Sequence, residues 1–318
     1  MDPSPNESVD HGATTIAEWL PGPSLSRAKA EAIIRVLFRE VEADGVRYSG
    51  SGTLYDVFVT ADGWAFRFPR TDWSGDLFEQ EAINHKFIAQ IIPSHIRLPR
   101  VELRAAPSEH FPYQIAGHRF IRGIGADELD ERLLPTFARE MATFLSALHS
   151  APTPLARAAG MHEFQMDEGR FGWAQHGVNH VMTFRGLDPV IDRALDWLKT
   201  ITLLPPKFDA PWHPVHGGLE ARHVLVDPST GSIRGVIDWT DSHLGDAAGD
   251  FIFLVTWKGW QFADEVLRLY RRPTDPEFRA RLRHSARFIS LMQLSYAEAE
   301  GLNVAAHIRG VRNAFAGE

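Results

Sequence analysis

His216-Gly217-Gly218-Leu219-Glu220-Ala221-Arg222-His223-Val224-Leu225-Val226-Asp227 and, beginning eight residues further on, Gly235-Val236-Ile237-Asp238-Trp239-Thr240-Asp241 decide how this chain folds. The first stretch is a glycine-bearing loop that runs into three aliphatic residues at 224–226, a strand signal. The second is an apolar strand over 233–237 that ends on the carboxylate of Asp238. An isolated Asp at a strand end most often bonds the backbone amides of a turn. The neighbours of Asp238 shift the reading towards chemistry. A His-Gly loop lies upstream, and Gly245-Asp246-Ala247-Ala248-Gly249-Asp250 adds two carboxylates downstream.

Outward from this core, composition sets the bounds. The chain has 318 residues, 44% hydrophobic and 23% charged, an ordinary globular balance with material for two lobes. No run approaches the ~18 consecutive apolar residues of a membrane span. The start is polar and lacks the basic and apolar regions of a signal peptide, which points to the cytoplasm. Cysteine is absent, so disulfides, thiolate nucleophiles and Cys-ligated zinc are excluded. A net charge of −8 argues against a broad nucleic-acid footprint.

Residues 1–24, rich in Pro, Ser, Gly and Asp, are expected to be flexible. Apolar spacing predicts a helix over 26–43, with Ser24 as its N-cap and its end at Asp44-Gly45. Short alternating segments at 46–48, 54–59 and 64–68 read as strands, a helix is predicted over 76–90, and 98–103 and 113–121 supply further strands. After Gly123 the style changes: 133–148 is a strong amphipathic helix, and the chain from about Asp250 is helical. The expectation is an α+β, bilobal fold. A small lobe with a five-stranded antiparallel sheet spans 25–122, a larger, mostly helical lobe spans 123–318, and a cleft lies between them.

These motifs resemble the aminoglycoside phosphotransferase superfamily, whose core reads His-Gly-Asp-Leu, then Asn or His, an apolar strand, Ile-Asp-Trp and Gly-Asp-x-Ala-x-Asp. His223 and Ile237-Asp238-Trp239-Thr240-Asp241 look most like the macrolide 2′-phosphotransferases. Phe66-Arg67-Phe68-Pro69-Arg70, Phe78-Glu79-Gln80-Glu81-Ala82 and Phe144-Leu145-Ser146-Ala147-Leu148-His149 extend the likeness over most of 45–255. The resemblance implies a protein-kinase-like fold that transfers phosphate from ATP or GTP, with Mg²⁺, to an antibiotic or a similar small hydroxylated amine. It gives Asp238 to the metal and sets His223 at the second metal-ligand position. His216 braces the catalytic loop and Asp246 orders it from behind. Arg67 takes the place of the phosphate-binding lysine, with Glu81 as partner; the alternative for this pair is a surface ion pair of little energy. Ser51 and Gly52, in Gly50-Ser51-Gly52-Thr53, lie where a nucleotide-covering loop or a plain hairpin turn would fall. His118 and Phe120 fall at the hinge, whose backbone would bond the purine edge.

One position departs from the pattern. Gly218 stands where the family has the Asp that meets the acceptor hydroxyl. A positioned base is typically worth about 10²–10⁴-fold in rate, so the chain is expected to bind nucleotide and transfer phosphate poorly. Glu220 is the nearest replacement, two positions on. The alternatives are a catalytically weak pseudokinase that binds nucleotide or a small molecule, a metabolite kinase, and, more distantly, a metal hydrolase using His213, His216 and His223. Trp173, Phe184, Trp197, Trp257, Trp260 and Phe262 serve either core packing or a pocket for a large apolar substrate. Acidic residues from Asp127 to Glu131, with Asp167 and Glu168, form either a solvated face or an attraction for an amine-bearing substrate.

Overall fold

A computed structural model describes residues 25–317 except 53, 72, 165–167, 202–211 and 300–302. The stretch expected to be flexible, 1–24, lies outside the described residues. The small lobe opens with α1 (Arg27–Leu37), capped by Ser26 rather than the expected Ser24, which lies outside the described residues; the Ser26 hydroxyl accepts from the Lys29 N–H at 3.3 Å. Strands β1 (Arg47–Ser51), β2 (Tyr55–Val59) and β3 (Trp64–Pro69) form a meander. Helix α2 (Leu77–Ile88) follows, then β4 (Leu103–Ala105) and β5 (Ile115–Arg119). The sheet order is β1-β2-β3-β5-β4, antiparallel throughout, which is the five-stranded sheet expected of this lobe.

Two elements are shorter than their periodicity predicts. Helix α1 stops at Leu37 rather than reaching Ala43, because Phe38 turns inward to lie 4.7 Å from the Phe66 ring. Val41, Ala43 and Val46 then line the same core. Strand β4 begins only at Leu103, since Pro99 has no N–H for a ladder.

The larger lobe begins with β6 (Ile124–Gly125), α3 (Leu134–Leu148), α4 (Thr153–Ala158), α5 (Glu168–Val181) and α6 (Pro189–Leu198). Then come β7 (His213–Val215), β8 (Val224–Val226), β9 (Ile233–Val236) and β10 (His243–Gly245). Helices α7 (Ile252–Lys258), α8 (Trp260–Leu269), α9 (Phe278–Ala299) and α10 (Val304–Ala314) complete it. β6, β8 and β9 make one small sheet, and β7 pairs with β10. β6 (Ile-Gly), β7 (His-Pro-Val) and β10 (His-Leu-Gly) are too short for a period and, unlike the aliphatic run of β8, each holds a single aliphatic side chain, so they were not legible in the sequence.

Helix α3 buries Phe137, Met141, Phe144, Leu145 and Leu148 on one stripe, each contributing about 1.5–3 kcal/mol. Phe144 meets Trp239 edge-on at 6.2 Å, so the core helix supports the residue directly after Asp238. Phe262 belongs to this core, and Phe184, Trp197, Trp257 and Trp260 pack against it, which is the packing reading of those aromatics. The Trp173 side chain lies outside the described residues.

Candidate active site

Two loops of the large lobe meet at the site, and glycine permits the approach. Gly217 has φ 83°, and a Cβ there would overlap the Asp241 carbonyl oxygen. The loop after β7 is fixed by Asp250, which is fully buried and accepts from the His216 N–H at 2.9 Å and the Gly217 N–H at 3.1 Å. His149, at the end of α3, contacts the same carboxylate at 3.1 Å and the Tyr270 hydroxyl at 2.8 Å. Burial alone would raise the Asp250 pKa, but the hydrogen bond and charge of His149, with His216, bring it below the ordinary value.

Asp246 was expected to order this loop from behind. It instead caps the following 3-10 turn, accepting from the Ala248 N–H at 3.0 Å, and pairs with Arg281 of α9 at 2.6 Å. Asp250 holds the loop because it comes one helical turn later, on the face turned towards His149. Its position at the end of the Gly-Asp-x-x-x-Asp run was the available signal.

His216 is completely buried. Its Nε2 donates to the Ile237 carbonyl at 2.9 Å, and burial pushes its pKa down to about 4, so the ring is neutral. The same ring lies 4.5 Å from that of Trp239. Ile237 in turn donates its N–H to the His223 carbonyl at 2.9 Å. These bonds hold Asp238 in a left-handed conformation, φ 66°, the only non-glycine residue with positive φ among the described residues. Its carboxylate is half exposed, 49%, so it is held by its backbone yet open to a ligand.

His223 Nδ1 lies 2.9 Å from the Gly218 carbonyl, an acceptor only, so Nδ1 carries the hydrogen. Nε2 then faces Asp238 Oδ2, 3.4 Å away. A ring nitrogen and a carboxylate oxygen so placed are chemically able to share a cation. An accessible carboxylate beside one further donor fits Mg²⁺, which takes one or two protein ligands and completes its shell with phosphate oxygens and water.

Arg67 of β3 places Nη1 at 3.0 and 2.8 Å from the two Glu81 oxygens of α2. Both side chains are buried, so the surface-pair alternative does not hold. Burial pushes the Glu81 carboxyl up, and Arg67 opposes that rise. Tyr55 and Phe78, stacked at 5.0 Å, lie against the Arg67 guanidinium at 5.3 and 4.7 Å. Its Nε and Nη2 are buried and have no hydrogen-bond partner among the described residues. Asp238 is near enough to bias the charge of both Arg67 and Glu81, so strand and loop elements of the two lobes converge electrostatically.

Helix α2 is also tied to the large lobe, which the sequence did not reveal. Asn84 Nδ2 donates to the Ser242 carbonyl at 2.9 Å and its hydroxyl at 2.7 Å. His85, buried, lies 3.5 Å from Glu81 and edge-on to Trp239, and burial lowers its pKa well below the ordinary value.

The remaining predicted residues fall as follows. Gly52 lies in the β1–β2 turn, its N–H bonded to the Tyr55 carbonyl at 3.0 Å and its own carbonyl to Arg70 at 2.8 Å. The Ser51 side chain and Thr53 lie outside the described residues. His118 is buried in β5 with a pKa lowered to about 4 by burial and by Arg67. Phe120 donates its N–H to the Gly63 carbonyl at 2.9 Å, so that amide is committed to the sheet end and is not offered to a purine. Glu220 contacts Arg222 at 2.7 Å and accepts from Gln293 of α9 at 3.2 Å. Gly218 has no left-handed φ. Among the described residues, no three His, Cys, Asp or Glu side chains are placed to hold a metal ion, and the three histidines of the hydrolase reading do not form such a group. No helix among the described residues is long and apolar enough to cross a membrane.

The buried loop histidine, the strand-end carboxylate and the buried Arg–Glu pair sit on a small antiparallel-sheet lobe and a mostly helical lobe, the layout of a kinase-like fold. Residues 48–289 match the phosphotransferase enzyme family, and the chain belongs to it. Among solved structures, it is similar to the GDP and kanamycin complex of APH(2")-IIia, with TM-score 0.69, 18% identity, and coverage of 90% of this chain and 97% of that one. It is also similar to the apoenzyme of macrolide 2'-phosphotransferase MphH from Brachybacterium faecium, with TM-score 0.56, 20% identity, and coverage of 91% and 99%. A curated relative, the uncharacterized protein YcbJ of Bacillus subtilis, is 26% identical over 135 residues, and the match spans 42% of each chain.

Proposed function

We propose that the chain is a cytoplasmic, Mg²⁺-dependent O-phosphotransferase that takes ATP or GTP as donor. Its acceptor would be a macrolide or a similar small hydroxylated amine, in the manner of antibiotic-resistance enzymes. The observation that carries this reading is Arg67. It is a buried guanidinium paired with Glu81, electrostatically coupled to Asp238, and holds two unpartnered donors. A buried, unsatisfied cation is costly unless an anion completes it, and phosphate oxygens suit that fork. The small lobe, to about residue 122, would hold the nucleotide, with Gly52 and the Ser51 backbone at the turn above it and His118 and Phe120 at the hinge.

Asp238 and His223 would hold the metal, which supplies charge neutralisation on the transferring phosphoryl group. The neutral His216 keeps Ile237, and with it Asp238, in place. Leaving no carboxylate at 218 favours a second reading, a nucleotide-binding pseudokinase with slow or no transfer, in which Glu220 does not serve as the replacement.

Calorimetry with ATP and GTP, with and without Mg²⁺, tests the first reading. Metal-dependent binding is expected for the parent and should be lost in Asp238→Ala, because one carboxylate then no longer joins ion to phosphate. Unchanged metal-dependent affinity in the variant would leave Asp238 as a turn residue only.

A further inference from the structure

We propose that Asn84 is a positioning residue of the nucleotide site. It holds helix α2 against the turn that follows Asp238, so that Arg67 and a metal at Asp238 grip one triphosphate. This rests on the phosphotransferase reading above.

Helix α2 belongs to both lobes. Near its start, Phe78 packs with Tyr55 and Ala116 of the small sheet. At its end, Ile88 lies in the core of the large lobe, with Ile92 and Ile96 beyond it. Glu81 and Asn84, between these ends, are three positions apart and so share a face. From that face Glu81 holds Arg67 of β3, and Asn84 reaches Ser242, four residues after Asp238.

The Asn84 contact is fully matched in donors and acceptors. The Ser242 carbonyl can only accept, so Nδ2 of Asn84 faces it. The two Nδ2 hydrogens serve that carbonyl at 2.9 Å and the Ser242 hydroxyl at 2.7 Å, and Oδ1 accepts from Gln80 Nε2 at 2.9 Å. Asn84 and Ser242 are both buried, where such bonds are stronger than in water. The turn they hold is itself fixed. Ser242 donates its N–H to the Trp239 carbonyl at 3.0 Å, and Trp239, fully buried, donates its indole N–H to the Val236 carbonyl at 2.8 Å. His85, next to Asn84 on α2, lies edge-on to the Trp239 ring at 6.1 Å. The helix therefore meets both ends of the segment 239–242.

Arg67 and Asp238 come from different lobes. A continuous link joins them, from Arg67 through Glu81, α2, Asn84, Ser242 and Trp239 to Asp238. Groups that grip one substrate from two sides lose much of their effect when displaced by ~1 Å, and this link sets their separation.

The test is calorimetry with ATP and GTP, with and without Mg²⁺. It compares the parent, Asn84→Ala, Asp238→Ala, the double variant Asn84→Ala/Asp238→Ala and Ser242→Ala, each with its thermal melt. Asn84→Ala should lower Mg²⁺-nucleotide affinity about 10-fold or more, within the usual range of coupling between sites, and leave metal-free affinity unchanged. In the Asp238→Ala background the same substitution should cost nothing further, because the coupled partner is already gone. A merely structural role would lower affinity by the same factor in both backgrounds. Ser242→Ala keeps the carbonyl bond and should show a smaller loss of the same kind; it carries the test if Asn84→Ala does not fold.

Unchanged Mg²⁺-nucleotide affinity in folded Asn84→Ala overturns the proposal, and so does an equal loss with and without Mg²⁺. If Asp238→Ala still abolishes the metal dependence in that case, the phosphotransferase reading stands. A parent without Mg²⁺-dependent nucleotide binding defeats both.

Discussion

Adjacent glycines at 217 and 218 look alike in the sequence and differ in the fold. Gly217→Ala places a Cβ in a left-handed residue against the Asp241 carbonyl, so it should cost roughly 1–3 kcal/mol or more. Gly218→Ala meets only ordinary contacts and should change stability by less than about 0.5 kcal/mol. Denaturant melts of both variants check this, and equal costs would mean that the loop conformation is misassigned. His216, His223 and Asp238 were legible as candidates because the spacing of loop, strand and carboxylate is visible in the chain. Asp250 was visible at the end of the Gly-Asp run, but its role was not. That role lies in contacts across loops, from its carboxylate to the amides of 216 and 217, and no sequence period encodes those.

At the scale of elements, strand β3 and helix α2 bring Arg67 and Glu81 together in a buried site. Glu81→Gln leaves the guanidinium without its counter-charge and should destabilise the fold by about 3–5 kcal/mol. A melt within 1 °C of the parent would show the pair to be solvated. Helix α3 gives a second check. Phe144→Ala opens a cavity beneath Trp239 and should cost about 3–5 kcal/mol. The helices were readable because their apolar stripes are long, as in α3. Helix α1 ended early and β4 began late, where packing of Phe38 and the missing N–H of Pro99 override local preference. The tie from Asn84 to Ser242 spans 158 positions, which no window along the chain can capture.

Across the whole molecule, buried neutral histidines link the lobes' stability to pH. Burial holds His216 and His118 at about 4, below the ordinary 6.5, and lowers His85 well below 6.5 too. The unfolded chain therefore takes up protons that the folded chain refuses. Stability is complete above about pH 6.5 and falls as pH drops towards 4. His216 and His118 should each cost about 2 kcal/mol at pH 5. The depressed carboxyl of Asp250 adds a loss in the same direction below its ordinary pKa. Thermal melts from pH 7.5 to 4.5 should show a falling Tm, and a flat profile would place these rings in contact with water.

Arg67, Asp238 and the loop at 216–223 are expected to serve together in moving a phosphoryl group. The most direct measurement is transfer of labelled γ-phosphate from ATP and GTP, with Mg²⁺, to a panel of macrolides and aminoglycosides, with Asp238→Ala alongside. A phosphorylated product that requires Mg²⁺ and disappears in Asp238→Ala is expected. Product formation that persists in that variant, or none with any acceptor from a parent that binds Mg²⁺-nucleotide, would contradict it.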